Sequence, residues 1–264
     1  IYKNPKSEIC VARSSCKIIL KQIRNELFHF QISRRCMKEL SAESFFDITS
    51  YQHSRLFENQ NFVWEALSQI ETYLSAFELG NIEVDVPADA FLIDAHLISI
   101  GKGSVIEPGA YIKGPCILGK NCTVRQGAYI RGNLITGDHC VIGHDTEIKN
   151  AILLNHVHAA HFAYVGDTIL GNRVNLGAGT KCANLKFNKQ PISIMFHDQN
   201  INTGLKKFGA ILADEVQTGC NTVTNPGTII GKNTWCAPLV NISGVISANS
   251  FVKNNIQQVV ELRK

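Results

Sequence analysis

Five histidines crowd one short stretch of the chain: His139, His144, His156, His158 and His161. Imidazole is the side chain that takes and returns protons near neutral pH, so this stretch is where a general base is first sought. A base is needed wherever an amine must act as nucleophile, because an ammonium has no lone pair to offer. The gap between His139 and His144 also suits metal ligation, provided other histidines converge from neighbouring segments. The spacing shows no such convergence, and no metal is expected. Just beyond lies the small-residue run LGAGT at residues 176–180, which lets an extended cofactor arm approach the backbone closely. Taken alone, that run reads as an ordinary tight corner.

The elements that must position these residues repeat every six places. Aliphatic residues recur at Ile100, Ile106, Ile112, Leu118, Val124, Ile130, Ile142, Ile148 and Leu154, with Thr136 the one interruption. The pattern returns at Leu170 and Leu176, and again at Leu212, Thr218, Thr224, Ile230, Cys236 and Ile242. Small residues follow four places later at Ser104, Ala110, Cys116, Cys122, Ala128, Cys140 and Thr146, and glycines sit at Gly101, Gly119, Gly137 and Gly143. This period matches neither a helix nor a hairpin meander. It predicts short strands joined by tight corners, each sending one aliphatic side chain into a coil: a left-handed parallel β-helix built from hexapeptide repeats. Each stacked side chain then contributes about 1.5–3 kcal/mol of burial. The rhythm breaks twice, between Leu154 and Leu170 and from about residue 184 to 207. A break in a regular pattern is where a site is expected.

Residues 1–80 read differently and predict a small helical segment ahead of the solenoid at 81–255, with a short tail at 256–264. Residues 17–28 and 59–77 carry helical spacing. In the second, Val63, Leu67, Ile70, Leu74 and Phe77 form one apolar face, with Asn59 or Asn61 as N-cap and Gly80 as stop. The 264 residues are 45% hydrophobic and 18% charged, which is a globular mix. A formal charge of +4 suits a phosphorylated small ligand and falls short of a nucleic-acid stripe. The densest basic patch (Arg13, Lys17, Lys21, Arg24, Arg34, Arg35, Lys38) reads as a solvated helix face. Nine cysteines, no Cys-x-x-Cys pair and no signal-peptide core predict reduced thiols in a cytoplasmic setting. No apolar run reaches membrane-spanning length, so no membrane partner is expected.

Several motifs, in one order, resemble a known family. The run HFAYVGD from His161 to Asp167, followed by NLGAGT at residues 175–180, is similar to the family's GHxxYxGD and NIGAGT. Upstream, VRQG with Arg125 resembles its LRPG, and EIK ending at Lys149 resembles its EMK. Downstream, Lys207 and Phe208 resemble the Lys-Phe that closes its active-site loop. The family is the C-terminal acetyltransferase domain of bifunctional glucosamine-1-phosphate acetyltransferase/N-acetylglucosamine-1-phosphate uridyltransferase. The segment at residues 203–219 looks most like the shorter archaeal-type members. The resemblance runs from about residue 122 to 231.

The resemblance implies an N-acetyltransferase that moves the acetyl group of acetyl-CoA to the 2-amino group of glucosamine 1-phosphate or galactosamine 1-phosphate. In that reading His161 is the general base, and Arg125 and Lys149 clamp the sugar phosphate. Tyr164 and Asn175 bind the sugar, and Asn184 and Lys207 close over it. The Ala178 amide faces the thioester oxygen, and Cys220 and Pro238 line the CoA groove. The resemblance also implies a homotrimer with sites between subunits and a place in UDP-N-acetylglucosamine and cell-envelope synthesis. Uridyl transfer is not expected from this segment, because a helical stretch replaces the Gly-rich nucleotide signature. Two other readings keep the fold. One is an acyl-carrier-protein-dependent N-acyltransferase of lipid A synthesis, and the other is a non-catalytic trimeric solenoid that binds a sugar nucleotide.

Overall fold

A computed structural model describes residues 36–255. The expected helix at 17–28, the tail at 256–264 and all of the basic patch except Lys38 lie outside the described residues.

From Ile82 onward the chain winds as a left-handed parallel β-helix of about nine turns, the predicted architecture. Each turn crosses three flat faces. In one turn these are Ile98–Ile100 on the first face, Val105–Ile106 on the second and Tyr111–Lys113 on the third. Every predicted inward position is buried, and the register stacks all but Leu154 in three columns. The first runs through Ile100 opposite Leu118, Leu153 between Thr136 and Leu170, then Leu212, Ile230 and Ile246. The second links Ile106, Val124, Ile142 and Ala159, then Leu176, Thr218, Cys236 and Val252. The third links Leu92, Ile112, Ile130, Ile148, Val165, Cys182, Thr224 and Ile242.

The small residues four places on are buried as expected. Thr180 and Thr222 use their hydroxyls to cap the corner carbonyls of Gly177 and Gly219, at 2.7 and 2.9 Å. Buried cysteines serve as small hydrophobes. Burial pushes the Cys116 thiol up to about 12, so it stays protonated.

The first expected break takes a different form. No loop separates residues 154 and 170; strands His158–His161 and Tyr164–Leu170 continue the coil. The inward residue is Leu153, opposite Thr136 and Leu170, and not its neighbour Leu154. Five residues, not six, therefore separate Ile148 from Leu153, and again Val165 from Leu170. Shortening the corner lets single strands, Glu147–Leu153 and Tyr164–Leu170, run from the third face onto the first. The second break is an insertion. It carries the antiparallel hairpin Ser193–Phe196 and Gln199–Asn202, closed at its root by a bridge between Leu185 and Lys207.

The helical segment packs across the first face and over its corner with the second. Its main helix is Ala66–Ser75, preceded by a 3-10 turn at Val63–Glu65. Val63, Leu67, Ile70 and Leu74 are buried as predicted, but Phe77 lies beyond the helix and is exposed. Neither asparagine caps the helix with its side chain. The Glu65 carboxylate instead accepts the Asn61 and Phe62 amides, at 2.8 and 3.4 Å. The helix ends at Ser75, ahead of Gly80. Apolar packing against the coils is joined by hydrogen bonds to the segment's backbone: Asp214 N–H donates to Phe45 O at 3.1 Å, Asp47 N–H to Asp214 Oδ2 at 2.6 Å, and Asn172 Nδ2 to Asp47 O at 2.9 Å.

Candidate active site

The histidines do not converge. His139 and His156 lie on the corner between the first and second faces, with rings stacked at 4.6 Å. His158 looks out from the second face, while His144 and His161 share the corner between the second and third. Among the described residues no group of three or more His, Cys, Asp or Glu is placed to hold a metal ion.

The corner that carries His161 continues coil by coil through the other residues expected to meet the cofactor. Gly179 N–H donates to His161 O at 3.0 Å, Asn221 N–H to Ala178 O at 2.8 Å and Leu239 N–H to Cys220 O at 3.0 Å. His161, Ala178, Cys220 and Pro238 thus form a ladder with about 4.8 Å between rungs. His161 is exposed, and the Ala178 N–H has no partner among the described residues. Two coils earlier on this corner sits Arg125, whose N–H donates to Ile142 O at 2.9 Å. The corner tolerates no side chain at Gly143, where a Cβ would fall 1.7 Å from Ala160 O.

The third face carries the second group. Tyr164 stands outward between Glu147 and Lys181 of the neighbouring coils. Beside it, Lys149 Nζ donates to Asp167 Oδ2 at 2.7 Å and Asn150 Nδ2 donates to Oδ1 at 3.0 Å. Asn184 Nδ2 makes a short hydrogen bond to the same carboxylate. Asp167 is itself buried, with its backbone carbonyl taken by Gly209 N–H at 2.7 Å. Burial, followed by the Glu147 and Asp167 charges, raises the Tyr164 hydroxyl, so it remains a neutral donor at physiological pH. Lys207 lies exposed at the root of the insertion, opposite Leu185.

Arg125 and Lys149, paired in the sequence reading, are not neighbours. The residue beside Lys149 is Arg131: its N–H donates to Ile148 O at 2.9 Å, and its guanidinium pairs with Glu147 at 2.5 Å. Arg131 and Asp167 were not assigned roles from the sequence. One coil's length before Lys149 leads to Arg131, a signal readable once the register is known. Asn175 stands apart on the second face, opposite His158 and Gln217. It lines an open groove of about 460 Å³ with Arg173 and Glu215.

With this geometry in place, comparison with known proteins is specific. The family model for the GMPPB C-terminal domain matches residues 112–258, just over half of the chain. The bifunctional protein GlmU of Methanococcus aeolicus is 31% identical over 122 residues, which cover 46% of this chain and 29% of that protein. A bifunctional sugar-1-phosphate nucleotidylyltransferase/acetyltransferase of Sulfurisphaera tokodaii is 30% identical over 175 residues, 66% of this chain and 42% of that one. A putative uncharacterized acetyltransferase of Escherichia coli, YaiX, is 35% identical over 162 residues, 61% of this chain and 69% of that one. The chain spans less than half the length of the bifunctional relatives it matches. Its repeats, its coil register and these matches agree: the chain belongs to the family of the GMPPB C-terminal domain, with GlmU-type proteins among its relatives.

Proposed function

We propose that the chain is an N-acetyltransferase that moves the acetyl group of acetyl-CoA to the 2-amino group of an amino-sugar 1-phosphate. The observation that carries this reading is the order of groups along one outer face. The His161 corner leads to Tyr164, and Tyr164 to the Lys149, Asp167 and Asn184 cluster, with Arg131 one coil away. A phosphate would meet two cations held in place by Glu147 and Asp167, a sugar hydroxyl would meet Tyr164 and Asn184, and the amine would reach the imidazole.

In the reaction His161 takes a proton from the amine, and the nitrogen lone pair attacks the thioester carbonyl carbon. The carbonyl oxygen gains charge in the tetrahedral state, where the unpartnered Ala178 amide is available as a donor. Collapse breaks the carbon–sulfur bond; the nitrogen gives up its second proton, the departing CoA thiolate takes one up, and the imidazolium returns the other to solvent. The ladder of Ala178, Cys220 and Pro238 would carry the pantetheine arm along the corner. Residues 81–255 would form the catalytic unit. Asn175 looks out from a different face than Tyr164, so one copy cannot bring both onto a small sugar. A homotrimer with sites between subunits would reconcile them.

The test is thiol release from acetyl-CoA against a panel of amino-sugar 1-phosphates, with acyl-carrier-protein thioesters in parallel. Turnover of acetyl-CoA with glucosamine or galactosamine 1-phosphate is expected. Turnover of the carrier-protein thioester alone, or no thiol release at all, would overturn the proposal.

A further inference from the structure

The helical segment lies wholly before the stretch matched by the family model, yet it is wired to the loop root that holds the acceptor site. Trp64 is fully buried, its ring stacked on Phe62 at 4.6 Å and packed against Phe208 with centroids 6.3 Å apart. Trp64 is held from behind by the neighbouring Val63, whose N–H donates to Leu40 O at 2.9 Å. Phe208 is equally buried and sits at the junction of three site groups. Its own N–H donates to Asn184 O at 3.0 Å, Lys207 precedes it, and Gly209 after it donates to Asp167 O at 2.7 Å. From the far side Gly227 N–H donates to the Phe208 carbonyl at 3.0 Å. Gly227 is itself in the left-handed region, at φ +82°, where an added Cβ would meet Ile192 at 2.6 Å and Phe208 at 3.9 Å. The Phe208 ring is thus fully buried beside Gly227, and Trp64 forms one wall of its surroundings.

We propose that Trp64 is a positioning residue: through Phe208 it sets Lys207, Asn184 and the Asp167 carbonyl in register, so the helical segment is a fixed support of acceptor binding. This rests on the acceptor site proposed above. The cofactor ladder on the His161 corner uses none of these contacts, which separates the two substrates.

The full chain carrying Trp64→Ala is compared with Trp64→Phe, which keeps an aromatic wall. In the alanine variant the KM for the amino-sugar phosphate should rise about 10- to 100-fold, the scale of an ångström-level misplacement, while the KM for acetyl-CoA holds within about twofold. Trp64→Phe should restore most of the acceptor affinity. An alanine variant that melts earlier but keeps its acceptor KM overturns the proposal, as does an equal rise in both KM values. Should Trp64→Ala not fold, Phe208→Leu is judged by the same split. Amide exchange separates this inference from the function it rests on. Even without turnover by the unmodified chain, the amides of Phe208 and Gly209 should exchange faster in Trp64→Ala, with Cys116–Leu118 unchanged. Unaltered exchange at Phe208 and Gly209 would also overturn it.

Discussion

Two corners of the same coils end in different chemistry. Between the first and second faces each coil turns through one left-handed residue, at Asn121, His139, His156, Arg173, Glu215, Asn233 and Asn249. Their side chains form a ladder on the surface, where His139 stacks on His156 and Arg173 pairs with Glu215. Between the third and first faces the count varies: the coil just before the short ones spends two left-handed residues, Gly132 and Asn133, and a later full-length coil spends one, Gly227. The two short coils spend one each, Asn150 at φ +44° and Asp167 at φ +49°. Asn and Asp are the residues other than glycine that adopt this region most readily. With one residue fewer the corner closes over itself, and the Asp167 carboxylate is buried among Lys149, Asn150 and Asn184. The solvated ladder and the organised polar cluster thus lie on different corners of the same coils, the cluster where two coils are one residue short.

The comparison can be broken by mutation, most severely where the short coils rely on their core. Leu170→Ala empties the inward position under Leu153 and should cost about 2–5 kcal/mol in urea unfolding. A loss below about 1 kcal/mol would mean that the short corner does not depend on this stacking. Next, Asp167→Ala strands the Lys149 ammonium in a half-buried setting and should cost about 3 kcal/mol. Removing Glu215, which pairs with Arg173 on the exposed ladder, should cost less than about 1 kcal/mol. Equal losses from the two would erase the distinction between the corners.

The helical cover provides a pH test. His53 is buried against Tyr51 and Tyr73, with its ring nitrogen 2.8 Å from the Tyr73 hydroxyl, and burial lowers its pKa to about 4. A depressed histidine pKa means the unfolded chain binds the proton first. Stability is therefore full above pH ~6.5 and falls as pH drops toward ~4, by up to about 3 kcal/mol. Thermal melts across that window should show the loss in the parent chain and a weaker dependence in His53→Phe. Parallel curves for the two would remove His53 from the account.

The sequence made the coil columns legible, because an inward aliphatic recurs at every sixth place wherever the corners keep their full length. It misplaced the frame at Leu154, since Leu153 and Leu154 are both buried leucines and only the register tells which one stacks under Thr136. His161, Tyr164 and Lys149 could be picked from local motifs. Arg131 and the Asp167 cluster could not be assembled that way, because their partners lie one coil away and that distance shrinks where a residue is lost. The asparagine caps failed for a local reason: Glu65 reaches back to the amides the caps would have held.

The most direct test compares His161, on the corner between the second and third faces, with a histidine of the solvated ladder under identical assay. Thiol release from acetyl-CoA with the accepted amino-sugar 1-phosphate should fall about 10²–10⁴-fold in His161→Ala, the loss for a missing general base. His139→Ala, on the solvated ladder, should stay within about twofold of the parent. Unchanged turnover in His161→Ala, or an equal fall in both variants, would contradict the assignment of the His161 corner as the reacting centre.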